Sequence, residues 1–194
     1  MKFSSATKLI AYSETCVVAL PALSHVLLET QTATAGSSYK AVFQVGHGCE
    51  GSAATAITVR IPAGFQSAKP YPKAGWMLAV KQEKLAKSYD SQGKTVTEAV
   101  SVVSWTAASK DAALPDAFFD DFMLRGKLPE TAGPLWFKVL QTCENGRNDW
   151  SEIPAAGASS KGLKFPAVLL QVTGPETAVA ADSAPTHAAG PHQH

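Results

Sequence analysis

The chain has 194 residues, of which 45% are hydrophobic and 17% are charged. This size and composition predict one globular domain with flanking segments. Lysine and arginine number 17 and aspartate and glutamate 16, so the formal net charge is +1. No basic stripe is available to neutralise a phosphate backbone, which argues against nucleic-acid binding. No apolar stretch reaches the roughly 18 residues of a membrane-spanning helix, so we expect no membrane span.

Residues 1–24 resemble a secretory signal peptide. Two early lysines precede an apolar stretch, and Ala22-Leu23-Ser24 offers the small residues that a signal peptidase reads. Glu14 interrupts the apolar stretch, which is uncommon in such a segment. The alternative is an N-terminal strand or amphipathic helix of a cytosolic protein. Cleavage would make His25 the first residue of a periplasmic or secreted protein.

The cysteines agree with export. Cys16 would leave with the signal peptide, and Cys49 and Cys143 would remain in the mature chain. A single remaining pair in an oxidising compartment predicts a disulfide. A dithiol metal site is the competing interpretation, but these cysteines lack the paired spacing typical of zinc sites.

The region between Val26 and about Leu170 shows short alternating or apolar runs separated by turn residues, a pattern typical of β-strands. Helical periodicity is nearly absent, and only Leu114–Phe119, with Asp116 as a cap, is expected to form a helical turn. The strand candidates are Val26–Thr30, Tyr39–Val45, Ala56–Ile61, Gly75–Lys81, Val96–Trp105, Phe118–Arg125, Leu135–Thr142 and Ala167–Val172.

These strands predict an all-β fold, an antiparallel β-sandwich of the immunoglobulin or fibronectin-III kind over residues 25–172. A β-barrel with a similar number of strands is the alternative. Residues 173–194 are rich in Ala, Pro, Thr and Ser and include three histidines, so we expect a disordered tail.

His25 is the first candidate metal ligand. A histidine at a free N-terminus offers two neutral nitrogens, the α-amine and the ring Nδ1, which can chelate one metal ion. Nitrogen-rich tetragonal sites favour Cu(II). This chemistry depends on cleavage immediately before His25; otherwise the residue is an ordinary histidine.

Two other segments carry candidate ligands. The loop His47-Gly48-Cys49-Glu50-Gly51 places a carboxylate beside a bridged cysteine, so Glu50 is a candidate third ligand. His47 is expected to be exposed or to support the site from outside the ligand shell. Trp136 lies on a predicted strand leading to Cys143. Its residue pattern favours core packing, as for Trp76, Trp105 and Trp150, and the functional alternative places its ring at the metal.

Enzyme signatures are weak. The sequence has no G-x-S-x-G, P-loop or H-E-x-x-H motif. Asp120 and Asp121 are adjacent and would point to opposite faces of a strand. We therefore expect a binding protein and not an enzyme, although a histidine–amine copper site can in principle activate oxygen.

Several segments, in the same order along the chain, resemble the YcnI-like domain, also catalogued as DUF1775. The resemblance covers about residues 25–170. It is carried by His25–Thr30, Ala35–Ala41, His47–Ser52, Val59–Gly64, Lys69–Trp76, Leu114–Phe122, Gln141–Gly146 and Trp150.

The resemblance implies an exported β-sandwich that binds Cu(II) through a single-histidine brace. Carried over by position, the ligands are His25 and Glu50, with Trp136 packed at the metal. The implied role is copper trafficking or homeostasis in the periplasm, alongside other copper-handling proteins. The alternative function is a structural or adhesion sandwich that binds protein or carbohydrate without a metal.

Overall fold

A computed structural model describes residues 25–174 of the chain. The predicted signal peptide, residues 1–24, lies outside the described residues, and so does the predicted tail from residue 175 onward. The described strands are β1 (Leu27–Leu28), β2 (Thr32–Thr34), β3 (Ser38–Val45), β4 (Ala54–Arg60), β5 (Gln66–Pro70), β6 (Trp76–Ser91), β7 (Lys94–Ala107), β8 (Asp120–Lys127), β9 (Gly133–Cys143), β10 (Arg147–Trp150) and β11 (Val168–Thr173).

Two sheets form a β-sandwich, as predicted. One has four strands in the order β1-β3-β8-β5, and the other has seven, in the order β2-β11-β9-β4-β7-β6 with β10 also paired to β9. Strand pairing is antiparallel except between β2 and β11. The predicted all-β sandwich class is therefore confirmed.

Aromatic side chains from both sheets meet in the core. Phe43 of β3 packs edge-on against Phe137 of β9, with ring centroids 5.4 Å apart. Phe122 of β8 contacts Trp105 of β7 at 5.7 Å and Trp76 of β6 at 4.9 Å. All five are buried because alternate residues of each strand point inward. Burial of these large apolar surfaces holds the two sheets together.

The strand predictions were right for the buried strands and incomplete for the exposed ones. β2, β5 and β10 are short strands absent from the prediction. β6 runs ten residues beyond its predicted end, and β7 is two residues longer than predicted at each end. Most of β6 is exposed on both faces, so it lacks the alternation that marks a half-buried strand. β11 ends at Thr173, one residue inside the predicted tail.

The predicted helical turn at Leu114–Phe119 is wrong in position. A 3-10 helix of three residues lies just upstream, at Lys110–Ala112. Leu114 instead pairs with Ala54 as an isolated bridge, and the amide of Phe118 donates to the carbonyl of Pro115 to close a turn. The backbone of the buried Leu114 thus hydrogen-bonds to Ala54 in a β-bridge, and not within a helical turn. Within residues 25–174, no helix is long and apolar enough to cross a membrane.

Candidate functional site

His25 lies two residues before β1, near one end of the sandwich. β1 pairs with the last part of β3, with Leu27 opposite Gln44, so the start of β1 lies level with the end of β3. The His25 ring is partly buried, and its Nε2 atom is fully buried without a hydrogen-bond partner among the described residues. Buried polar atoms in folded proteins usually have a partner, so this nitrogen marks an incomplete environment.

The side chain in ring contact with His25 is Trp150. The two ring centroids are 5.3 Å apart, with the planes inclined by 65°. Trp150 itself is 1% exposed and contacts Phe165 at 5.1 Å. It reaches this position because β10 folds back on β9 and pairs Trp150 with Val139 on the inward face. The His25 ring therefore packs against a rigid, apolar indole.

Gln141 is a buried polar residue that ties Trp150 to the neighbouring loop. It is 1% exposed, and its Nε2 donates to the His47 carbonyl at 2.5 Å. Its Oε1 accepts from Trp150 Nε1 at 3.4 Å and from Asn148 Nδ2 at 3.2 Å. One amide thus pairs with three groups from two segments, the loop after β3 and β10. Gln141 was not among the predicted site residues, although an amide on the apolar face of a strand, between Val139 and Cys143, was a usable signal.

We expect Gln141→Leu to lower the free energy of unfolding by about 3 kcal/mol, because it leaves several polar groups buried and unsatisfied, each costing about 1–3 kcal/mol. Urea unfolding of the purified protein measures the loss. Gln171→Leu is the matched control, since Gln171 is exposed and the same change there should stay within about 0.5 kcal/mol. Equal effects at the two positions would contradict the anchoring role of Gln141.

His47 takes part in this arrangement through its main chain. Its carbonyl accepts from Gln141, and its ring Nδ1 donates to the Gly48 carbonyl at 2.5 Å. From its sequence, His47 was expected to be exposed or to support the site from outside the ligand shell. The structure finds it partly buried and linked to the His25 ring through Gln141 and Trp150.

Trp136 lies on the outer face of β9 and lines the same cavity as His25. The cavity has a volume of about 170 Å³, and Leu169 and Pro166 also line it. Trp136 is only partly buried, because its neighbours Leu135 and Phe137 occupy the inward positions of the strand. The expectation of core packing was therefore wrong for this tryptophan. It was right for the other three, Trp76, Trp105 and Trp150, which are buried.

Cys49 and Cys143 form the predicted disulfide, with an S–S distance of 2.03 Å. It joins the loop after β3 to the last residue of β9. Glu50 follows directly and is exposed, in a left-handed conformation with φ of 50°. Its groove, of about 560 Å³, also includes Asp116 and Glu144. Glu50 and His25 thus line different cavities.

The loop around Glu50 is closely packed at Gly48. A Cβ atom at that position would lie 1.8 Å from the main-chain oxygen of Ser52, so only glycine fits. The Gly48 amide donates to Asp116 Oδ1 at 3.0 Å, and the amide of Cys49 donates to the Ser52 carbonyl. These contacts and the disulfide fix the conformation of the loop and thereby the position of Glu50 in its groove.

Two ionisable residues of the four-stranded sheet have raised pKa values, Asp121 of β8 and Tyr39 of β3. Burial and the negative charges of Glu29 and Asp120 raise the pKa of Asp121. Burial, and secondarily Glu29, raises the pKa of Tyr39 to about 12. The Tyr39 hydroxyl donates to the Thr30 carbonyl at 2.5 Å, so the neutral phenol is the form this site holds.

The side chains of residues 25–174 include no group of three or more His, Cys, Asp or Glu placed to hold a metal ion. The donors of a metal at His25 would therefore come mainly from His25 itself, through the ring and an α-amine freed by cleavage. In the uncleaved chain that amine is an amide and is not a metal ligand. The ring is held against Trp150, which shields one side of it from water.

Comparisons with known proteins agree with the fold. No curated protein matches the sequence. A solved structure with 27% sequence identity and a TM-score of 0.58 covers 76% of this chain and 97% of its own; it is an uncharacterized protein from Nocardia farcinica with an immunoglobulin-like fold. The sequence profile described as "Domain of unknown function (DUF1775)" matches residues 25–172, the whole sandwich from His25 to Val172. The chain therefore belongs to the DUF1775 family.

Proposed function

We propose that the protein is exported, is cut immediately before His25, and then binds one Cu(II) ion as cargo. The α-amine and the ring Nδ1 of His25 supply the nitrogen ligands, which suit Cu(II) among the common divalent metals. The ion is carried in copper trafficking or homeostasis in the periplasm or outside the cell, without a chemical reaction. Other copper-handling proteins are the expected partners.

The observation that carries this proposal is the environment of the His25 ring. A structural histidine ordinarily has its buried ring nitrogens hydrogen-bonded, whereas His25 Nε2 is buried without a partner among residues 25–174. Leaving such a group unsatisfied costs about 1–3 kcal/mol. The ring is held by Trp150 and lines a cavity, so it is oriented by packing. The ring is therefore oriented by packing and not by a hydrogen bond at Nε2, and we infer that Nδ1 and a freed α-amine are its donors for the metal.

The carboxylate and tryptophan of the proposed site need separate assignments. We assign the tryptophan that packs beside the ligand ring to Trp150, since its ring contacts His25. Trp136 forms a wall of the same cavity. Glu50 remains the predicted oxygen ligand, and it lines a different groove from His25.

Titration of the mature protein with Cu(II), followed by tryptophan fluorescence, tests the proposal. We expect one equivalent to bind and to quench the emission of the nearest indole. Trp150→Phe should retain the stoichiometry and lose much of the quenching. The matched change Trp136→Phe tests the assignment, because a larger loss there would place the ion on the outer face of β9. Absence of stoichiometric binding would reject the proposed function.

Exposed aromatic residues favour a second candidate function, a sandwich that binds protein or carbohydrate without a metal. Phe118 and Phe119 are 61% and 60% exposed and follow Asp116, which lines the Glu50 groove. Large exposed apolar side chains that adjoin one another often mark a binding surface. A mature protein that binds no copper in the titration would favour this function.

A further inference from the structure

β6 is a long edge strand with one side unpaired in the described part of the chain. It extends over 16 residues, from Trp76 to Ser91, at the end of the seven-stranded sheet. β7 pairs with one side of it, and no strand of residues 25–174 pairs with the other. The alternate backbone N–H and C=O groups on that side are free to pair with another strand.

The start of β6 and the rest of the strand differ in how they are protected against pairing with another strand. Natural edge strands discourage pairing through lysines, prolines or irregular backbone. From Lys81 onward the strand has three lysines, at positions 81, 84 and 87, and its pairing with β7 shifts in register between Lys81 and Gln82 and again between Lys84 and Tyr89. The first five residues, Trp76–Val80, include no charged residue and no proline. Their pairing with β7 is regular throughout.

The unprotected segment, Trp76–Val80, also exposes apolar side chains. Met77 is 59% exposed, Leu78 36% and Val80 48%. Leu78 and Val80 lie opposite the buried residues Trp105 and Val103, so they belong to the inward face of the sheet where it extends beyond the cover of the other sheet. A backbone edge and an apolar surface therefore coincide on one short segment.

We propose that a second copy of this chain pairs antiparallel with β6, with the two-fold axis passing beside Ala79. In this register Leu78 lies opposite Val80 of the second copy, and Val80 lies opposite its Leu78. Four exposed apolar side chains would thus be buried on one face. Met77 would lie opposite Lys81, so no two like charges are directly opposed.

A second copy fits this edge better than a charged partner does. An antiparallel pair about a two-fold axis presents the same segment twice, and this segment matches itself, apolar residue against apolar residue. The chain's formal net charge is only +1, so repulsion between two copies is small. The proposal does not depend on copper binding, and the pairing would create one continuous sheet across both copies.

Cysteine cross-linking tests the register. Ala79→Cys places the two thiols opposite each other at the axis, and mild oxidation should convert most of the protein to a covalent dimer. Ala86→Cys is the matched control: it is an exposed alanine of the same strand outside the paired segment, and it should cross-link far less. Equal cross-linking of both variants, or none of Ala79→Cys, would overturn the proposal.

Sedimentation of the unmodified protein over a range of concentrations gives the second test. We expect a monomer–dimer equilibrium that Leu78→Lys weakens at least tenfold, with the circular dichroism spectrum unchanged. Ala86→Lys adds the same charge outside the paired segment and should leave the equilibrium in place. A protein that stays monomeric at every concentration would show that β6 is left open or is covered by another part of the chain.

Discussion

One alanine added before His25 is expected to weaken Cu(II) binding by the mature protein at least about 100-fold. The added residue converts the α-amine of His25 into an amide, so the chelate through amine and Nδ1 is lost while the ring remains in place. A 100-fold loss equals about 2.8 kcal/mol of binding free energy. Competition titration against a chelator of known affinity measures the change.

The control separates the chelate from other copper ligands. A variant with one alanine added at the C-terminus instead has the same composition, and its Cu(II) affinity should be unchanged. The three histidines at positions 187, 192 and 194 are replaced by serine in every variant, so that weak binding there cannot hide the effect. An alanine-extended protein that keeps its affinity would show that the copper site lies elsewhere.

Removal of the Cys49–Cys143 bond is expected to lower the free energy of unfolding by about 4–5 kcal/mol. The bond closes a loop with a sequence separation of 94 residues, and the chain-entropy estimate for a loop of this length is about 4.7 kcal/mol. Domains are commonly stable by only about 5–15 kcal/mol, so the loss is large. Alanine is the appropriate replacement because both cysteines are buried. Urea unfolding measures it.

A double-mutant cycle separates the bond from side-chain packing. If the bond is the main contribution, Cys49→Ala alone and Cys143→Ala alone should each cost nearly as much as the double variant. Packing losses would instead add, and each single change would cost about half of the total. Additive effects of that kind would contradict a stabilising disulfide between these residues.

The disulfide also influences the proposed site through the loop that it holds. Cys49 lies between His47, whose carbonyl accepts from Gln141, and Glu50 in its separate groove. We therefore expect loss of the bond to release the loop that contains Glu50. The Gln141–Trp150 contact is made by the β9–β10 hairpin and should persist.

Strands with two-residue hydrophobic periodicity could be predicted from the sequence. Contacts between residues far apart in the chain could not. Alternation in Tyr39–Val45 and Ala56–Ile61 correctly indicated β3 and β4, because each has one face in the core. The exposed length of β6 lacks that alternation, so its extent could not be predicted. Trp136 and Phe137 are adjacent large aromatics, and only the pairing of β9 shows which of them points inward.

The primary structure was sufficient for the all-β class, the cysteine pair and the family. These depend on composition, periodicity and motif order, all of which are local or countable along the chain. Tertiary structure alone decided that Trp150 contacts His25, that Gln141 anchors it, and that Glu50 lies in a different groove. These contacts join segments separated by up to 125 positions, and strand pairing and register, which no local pattern encodes, bring them together.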